Sequence, residues 1–147
     1  MIVVFVDADL LISCIRPLNP AKPEKNKILQ RARDVMEDLF ATNDHVNITL
    51  YTLAELYKGV YKSQQVAYNL RLVEKYLARF ELVLPNVDSA KEYARLSADL
   101  ESKGQIIGIM DILIASCIIS NDEILYTRNV DHFNRIPGLN LVNWAID

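Results

Sequence analysis

Four stretches of this chain place acids or amides where apolar segments end. Asp7 and Asp9 follow the run Val3-Val4-Phe5-Val6. Glu55 lies just after Val46-Asn47-Ile48-Thr49-Leu50. Asn129 and Asp131 follow Ile124-Leu125-Tyr126-Thr127. Asp111 is the only charged residue between Lys103 and Asp122. Two acids spaced like Asp7 and Asp9 suit either a cation site or an aspartyl nucleophile. Each acid also has an ordinary structural role. Asp7 can cap the following helix. Asp9 suits a first helical turn, where the dipole contributes about 0.3–1 kcal/mol. Glu55 completes Thr52-Leu53-Ala54-Glu55, a match to the capping box. Asp111 can sit in the first turn of its helix. Asn129 and Asp131 suit an Asx turn. Together they carry more. Carboxylates about 4–5 Å apart repel by about 3–4 kcal/mol at an effective dielectric near 20. A cluster of them needs protons or a cation, and oxygen-only ligation suits Mg²⁺ or Mn²⁺ rather than zinc.

The elements that must position these groups alternate. The apolar, β-branched run over 2–6 reads as a strand buried on both faces, as in parallel sheets. A helix follows from residue 8 or 9 to about 16, stopped by Pro17. Residues 17–23, with three prolines, form a loop. Helical spacing of apolar residues covers 24–40. A second strand spans 46–50, followed by a helix over 51–60 with Thr52 as N-cap. Ser63 caps a helix over 64–80, and a third strand covers 81–84. Asp88 caps a helix from 89 to 103, and 109–120 is a nearly all-apolar helix. A fourth strand covers 123–127, a helical turn 130–135, and an edge strand 139–142. Strands separated by helices indicate right-handed βαβ units. The expected fold is α/β: a three-layer α/β/α sandwich on a mainly parallel sheet of four to five strands, with residues 1–147 as one domain. In such a sheet the strand-following acids share one edge, where ligands bind.

Composition narrows the partners. Of 147 residues, 51% are hydrophobic and 24% charged, which suits a packed core. The formal net charge of −3 lacks the basic excess of many nucleic-acid binders, so RNA binding would need local basic faces or a bound cation. Arg71, Lys75 and Arg79 recur at helical spacing, as do Lys58 and Lys62. Cys14 and Cys117 read as free buried thiols, and no secreted disulfide framework is visible. The N-terminus lacks a basic n-region, no run is long enough to span a bilayer, and a cytoplasmic, membrane-free protein is expected.

The motifs resemble those of PIN-domain nucleases, and among them the VapC-type toxins of toxin–antitoxin pairs. The resemblance rests on Val6-Asp7-Ala8-Asp9-Leu10-Leu11-Ile12, on Thr52-Leu53-Ala54-Glu55-Leu56-Tyr57-Lys58-Gly59, on Ile107-Gly108-Ile109-Met110-Asp111-Ile112-Leu113-Ile114-Ala115, and on Leu125 to Phe133 with Pro137-Gly138-Leu139 and Trp144. The motifs occur in order at matching intervals across nearly the whole chain. The resemblance implies that Asp7, Glu55 and Asp111 bind metal. The family often has an acid just after the Thr of the last motif; here Asn129 stands nearest, with Asp131 beyond it and His132 next. Asn129 could ligate or orient a water, and Asp131 could substitute as ligand.

The family also implies Mg²⁺-dependent hydrolysis of RNA phosphodiesters, with Mn²⁺ able to substitute. It implies a homodimer and a small antitoxin whose C-terminal segment fills the active-site groove. Asp7 and Asp111 are expected as direct ligands, Glu55 as ligand or base, and Thr127 and Asn129 as groups that orient water or substrate. A competing enzyme class, the haloacid-dehalogenase-like aspartyl phosphotransferases, also begins strand-Asp-x-Asp. Those continue with a glycine-threonine stretch, whereas this chain has Leu10-Leu11-Ile12. An inactive RNA-binding PIN domain is the non-enzymatic alternative, kept open by Asn129.

Overall fold

The structure, a computed structural model, describes residues 3–146. The expected start of the first strand at Ile2 lies outside the described residues. The elements run β1 (Val4–Val6), α1 (Ala8–Ile15), α2 (Pro23–Thr42), β2 (Val46–Thr49), α3 (Leu50–Tyr61), α4 (Val66–Leu77), β3 (Glu81–Val83), α5 (Val87–Ser102), α6 (Ile109–Ile119), β4 (Ile124–Tyr126), α7 (Val130–Phe133) and β5 (Asn140–Val142). The five strands form one sheet in the order β3-β2-β1-β4-β5. Every neighbouring pair is parallel, with Val4 opposite both Val46 and Ile124.

Strand periodicity explains the layers. Successive side chains point to opposite faces. Val4 and Val6 join Val46, Ile48, Leu10, Leu11, Met36 and Leu56 in one core. Phe5 and Leu125 turn to the other, against Leu96, Leu100, Ile112, Ile114 and Ile118 of α5 and α6. Burial of β1 on both sides is why its sequence is uninterruptedly apolar. Helix α6 is buried at Ile112 and from Ile114 to Ile118, while its first residues Ile109 and Met110 are exposed. The chain moves from β1 outward through β2 to β3, then returns to the other side of β1 for β4 and β5. Asp7 therefore ends the strand where the direction of winding reverses, the place where such sheets open a crevice.

Three expected caps differ from those observed. Thr49, not Thr52, caps α3: its Oγ1 accepts the Thr52 N–H at 3.0 Å. The strand ends one residue early because Thr49 is extended while its carbonyl already enters the helix. Asn86, not Asp88, caps α5, and Ser89 completes a reciprocal box: Asn86 Oδ1 accepts the Ser89 N–H and Ser89 Oγ accepts the Asn86 N–H at 2.6 Å. Helix α4 starts at Val66 without a side-chain cap. Ser63 instead donates to the Val60 carbonyl at 2.6 Å, closing α3, and accepts from Asn69 Nδ2 at 2.9 Å. Gly104 and Gly138 take φ of 65° and 81°, the left-handed conformation that costs glycine least.

Candidate active site

Asp7 is held by three neighbours at the end of β1. Its backbone N–H donates to the Tyr126 carbonyl at 3.2 Å, extending the β1–β4 ladder. Its Oδ1 accepts the Leu10 N–H at 2.8 Å, so Asp7 does cap α1. Its carboxylate also bonds the Thr127 side chain. Burial nonetheless pushes Asp7 up to about 6; the Thr127 and Leu10 bonds oppose this, Asp9 adds to it and Arg128 lowers it slightly. Desolvation wins because two hydrogen bonds do not replace a hydration shell.

Glu55 escapes its expected capping role. With Leu50 opening α3, Glu55 is the sixth helical residue, a full turn past capping-box reach. Its carboxyl is raised by burial first, then by Asp111, then by Asp7, with Lys58 opposing. Both other acids thus act on Glu55 through space. Residues 7, 55 and 111, far apart in sequence, face a common region.

Asp111 lies in the first turn of α6. Its Oδ2 meets His132 Nδ1 at 3.2 Å, and its side chain is 19% exposed against 50% for the imidazole. The fourth stretch resolves unevenly. Thr127 is fully buried and its Oγ1 accepts the Asn129 N–H at 3.0 Å. The Asn129 side chain reaches His132 Nδ1 at 3.4 Å. Asp131 is exposed and makes no hydrogen bond or ion pair among the described residues. His132 was absent from the expected site set, although it stands beside Asp131 in sequence. One helical turn in α7 is enough to aim position 132, and not 131, at Asp111.

Asp9 is spoken for. It pairs with Arg128, whose Nη2 donates to Asp9 Oδ1 at 3.1 Å and whose guanidinium lies 5.3 Å from the Trp144 ring centroid. The Asp7-Ala8-Asp9 pair therefore divides into a helix-capping acid facing the other carboxylates and a partner for arginine. Among the expected cations, Lys58 is exposed on α3, Lys62 just past its end, and Arg71 and Lys75 on α4. Arg79 falls beyond the end of α4. It bonds Glu37 at 3.2 Å and stacks 4.0 Å over Phe40, so it does not extend the Arg71–Lys75 face.

Whether these residues suit a divalent cation is decided by donor chemistry and charge. Asp7, Glu55 and Asp111 offer carboxylate oxygens alone; burial holds Asp7 and Glu55 above their ordinary range, and Asp111 and Asp7 raise Glu55 further. A dication would relieve that repulsion. Among the described residues no three His, Cys, Asp or Glu side chains close on a single point, so the arrangement is open. The donor set fits a hard cation bound with water completing its shell. Helices α1, α3 and α4 enclose a groove of about 540 Å³, lined by Ile12, Ile15, Leu56, Val60, Leu72 and Val73 and also by Arg16; none of the three acids lines it. Gly59 also lines it, and a Cβ there would meet Ile12 Cδ1 at 3.9 Å.

Comparison with known proteins gives the same region a family. The PIN domain matches residues 4–139. Ribonuclease VapC2 of Rickettsia felis is 39% identical over 107 residues, 73% of this chain and 80% of that protein. The tRNA(fMet)-specific endonuclease VapC of Salmonella typhimurium is 29% identical over 118 residues, 80% of this chain and 89% of its own. Among solved structures, VapBC2 of Rickettsia felis bound to a DNA fragment from its promoter superposes with a TM-score of 0.82 at 30% identity, covering 97% of this chain and 99% of that one. From strand order, acid placement and these likenesses together, the chain belongs to the PIN-domain family, in its VapC group.

Proposed function

We propose that this protein is an endoribonuclease, dependent on Mg²⁺ or Mn²⁺, and the toxin of a toxin–antitoxin pair. The observation that carries the reading is Glu55 raised by both Asp111 and Asp7, so carboxylates from the β1–α1 junction, α3 and α6 act on one another. The Rickettsia felis relative is a ribonuclease and the Salmonella typhimurium relative a tRNA(fMet)-specific endonuclease, which supports this activity. Asp7, Glu55 and Asp111 would hold the cation. When bound, it would polarise a phosphoryl oxygen and make a bound water more acidic.

The chain's own residues supply the rest. The Leu10 N–H and the Thr127 hydroxyl fix the Asp7 carboxylate in one orientation. Glu55 Oε atoms hold a proton more readily than a free glutamate, which suits them to take one from an attacking water. The Asn129 amide stands next to His132, where it can orient water or a phosphate oxygen. Asp131, exposed and without a contact to these groups, is the weaker candidate for a fourth ligand. Lys58, one turn beyond Glu55 on α3, and Lys62 beyond it offer cations for the RNA backbone, so local charge offsets the net −3.

The partner is an antitoxin, supported by the VapBC complexes among the structural relatives. The apolar groove between α1, α3 and α4 is lined by Leu56, the residue after Glu55, and would seat a segment of that partner. A homodimer and a cytoplasmic setting complete the reading. Cys14 and Cys117 are free thiols, and among the described residues no helix is long and apolar enough to cross a membrane. The test is RNA cleavage by purified protein with Mg²⁺, by the metal-stripped protein, and by Asp7→Asn. Cleavage should need the metal and vanish in the variant. Undiminished Mg²⁺-dependent cleavage by Asp7→Asn would sink the assignment.

A further inference from the structure

The turn between β4 and α7 touches both acids that flank Glu55. Thr127 is buried, bonds the Asp7 carboxylate, and accepts the Asn129 N–H. Asn129 in turn reaches His132, and His132 Nδ1 meets Asp111 Oδ2 at 3.2 Å. A continuous path of hydrogen-bonding groups therefore runs Asp7–Thr127–Asn129–His132–Asp111. It joins a residue of the β1–α1 junction to one on α6 through six consecutive positions, 127–132.

The chemistry of the path decides its polarity. A carboxylate oxygen only accepts, so the ring nitrogen facing Asp111 carries hydrogen. The charge-assisted bond to Asp111 is the shorter of the two that Nδ1 makes, and an ionised acceptor makes the stronger bond. The Asn129 amide then serves the same hydrogen through its oxygen, since its two terminal atoms can exchange places by rotation. Asp111 Oδ2 is occupied by this donor, and Oδ1 takes no hydrogen bond among the described residues.

We propose that His132 is a positioning residue for the cation site: its Nδ1–H fixes Asp111 through Oδ2 and leaves Oδ1 to face Asp7 and Glu55. This rests on the cation-dependent reading above. Ligating carboxylates are commonly held by a hydrogen bond from the surrounding shell, and loss of such a partner typically weakens metal affinity by about 10–100-fold. Thr127 does the same for Asp7, so a single turn orients two of the three acids.

The experiment measures Mn²⁺ affinity by calorimetry on the folded, metal-stripped chain. Affinity of the unaltered protein is compared with His132→Ala, His132→Asn and Asp131→Ala. Circular dichroism checks that each folds; His132 is half exposed on a one-turn helix. His132→Ala should bind Mn²⁺ at least about 10-fold more weakly. His132→Asn places an amide N–H near the position of Nδ1 and should recover affinity to within a few-fold. Unchanged affinity in His132→Ala overturns the proposal, as does a loss confined to Asp131→Ala. Failure of the unaltered chain to bind Mn²⁺ overturns it together with the cation reading. If Mn²⁺ binds as described but RNA is not cut, the positioning role stands and the ribonuclease reading fails.

Discussion

The Arg128 guanidinium pairs with Asp9, not with Asp7, although the two acids are two residues apart. Asp9 raises Asp7, and Arg128 lowers it. Asp9→Asn removes the raising charge and releases Arg128, so both effects move Asp7 downward. The Asp7 carboxyl, followed by NMR, should titrate below its value of about 6, and RNA cleavage should persist. Loss of cleavage in this variant would return Asp9 to the chemistry.

Asp7 also sets a trade between stability and activity. Its native pKa of about 6 lies above the ordinary 3.8, so the folded state binds the proton more tightly than the unfolded one. The metal-free protein should therefore be most stable with Asp7 protonated and lose stability as pH rises from about 4 to about 6, by up to about 3 kcal/mol. Asp7→Asn keeps an oxygen to accept the Leu10 N–H. Urea unfolding at pH 7.5 should show the variant more stable than the metal-free parent while cleavage is abolished. A less stable variant contradicts this.

Cation binding runs against the same proton. Affinity for Mg²⁺ should fall as pH drops below about 6, because a ligand must be deprotonated. Calorimetry in two buffers of different ionisation enthalpy should detect proton release at pH 6 and much less at pH 8. Equal release at both pH values would mean that Asp7 is not a ligand.

Thr49 and Thr52 offer a stability test of the corrected cap. Thr49→Ala removes the acceptor for the Thr52 N–H and should cost about 0.5–2 kcal/mol. Both hydroxyls are buried and lie 3.1 Å apart, so Thr52 also loses its partner. Chemical denaturation measures the loss. A neutral result would return the capping role to another residue.

Gly59 sits inside α3 with room for a methyl group. Gly59→Ala should stabilise the protein by about 0.5–1 kcal/mol, since the nearest contact is an ordinary 3.9 Å. The added methyl also narrows the apolar groove. Thermal unfolding reads the first effect, and affinity for a co-expressed antitoxin reads the second; a drop in Tm refutes the first.

Much of this was legible in the sequence because the physics is local. The run Val4–Val6 had to be doubly buried, and Asp7 had to end it. Asp111 stood out because a lone acid in an apolar helix needs a reason. The caps were less legible. Thr49, Thr52, Asp88 and Asn86 are all competent capping residues, and the choice depends on where the strand hydrogen bonds stop. Arg79 fits the helical spacing of Arg71 and Lys75, yet α4 ends at Leu77 and Phe40 captures its guanidinium. His132 was hidden because its role depends on which way α7 faces, a property of how the turn after Thr127 packs.

The strand order has a consequence for when the protein can act. Asp7 belongs to the central strand and Glu55 follows its neighbour, but Asp111 and the turn carrying Thr127 and His132 come from the last third of the chain. β1 itself lacks its second neighbour until β4 docks. A polypeptide emerging from the ribosome therefore carries two of the three acids long before the third exists. The winding of the sheet leaves the acid cluster incomplete until the last third of the chain has been made.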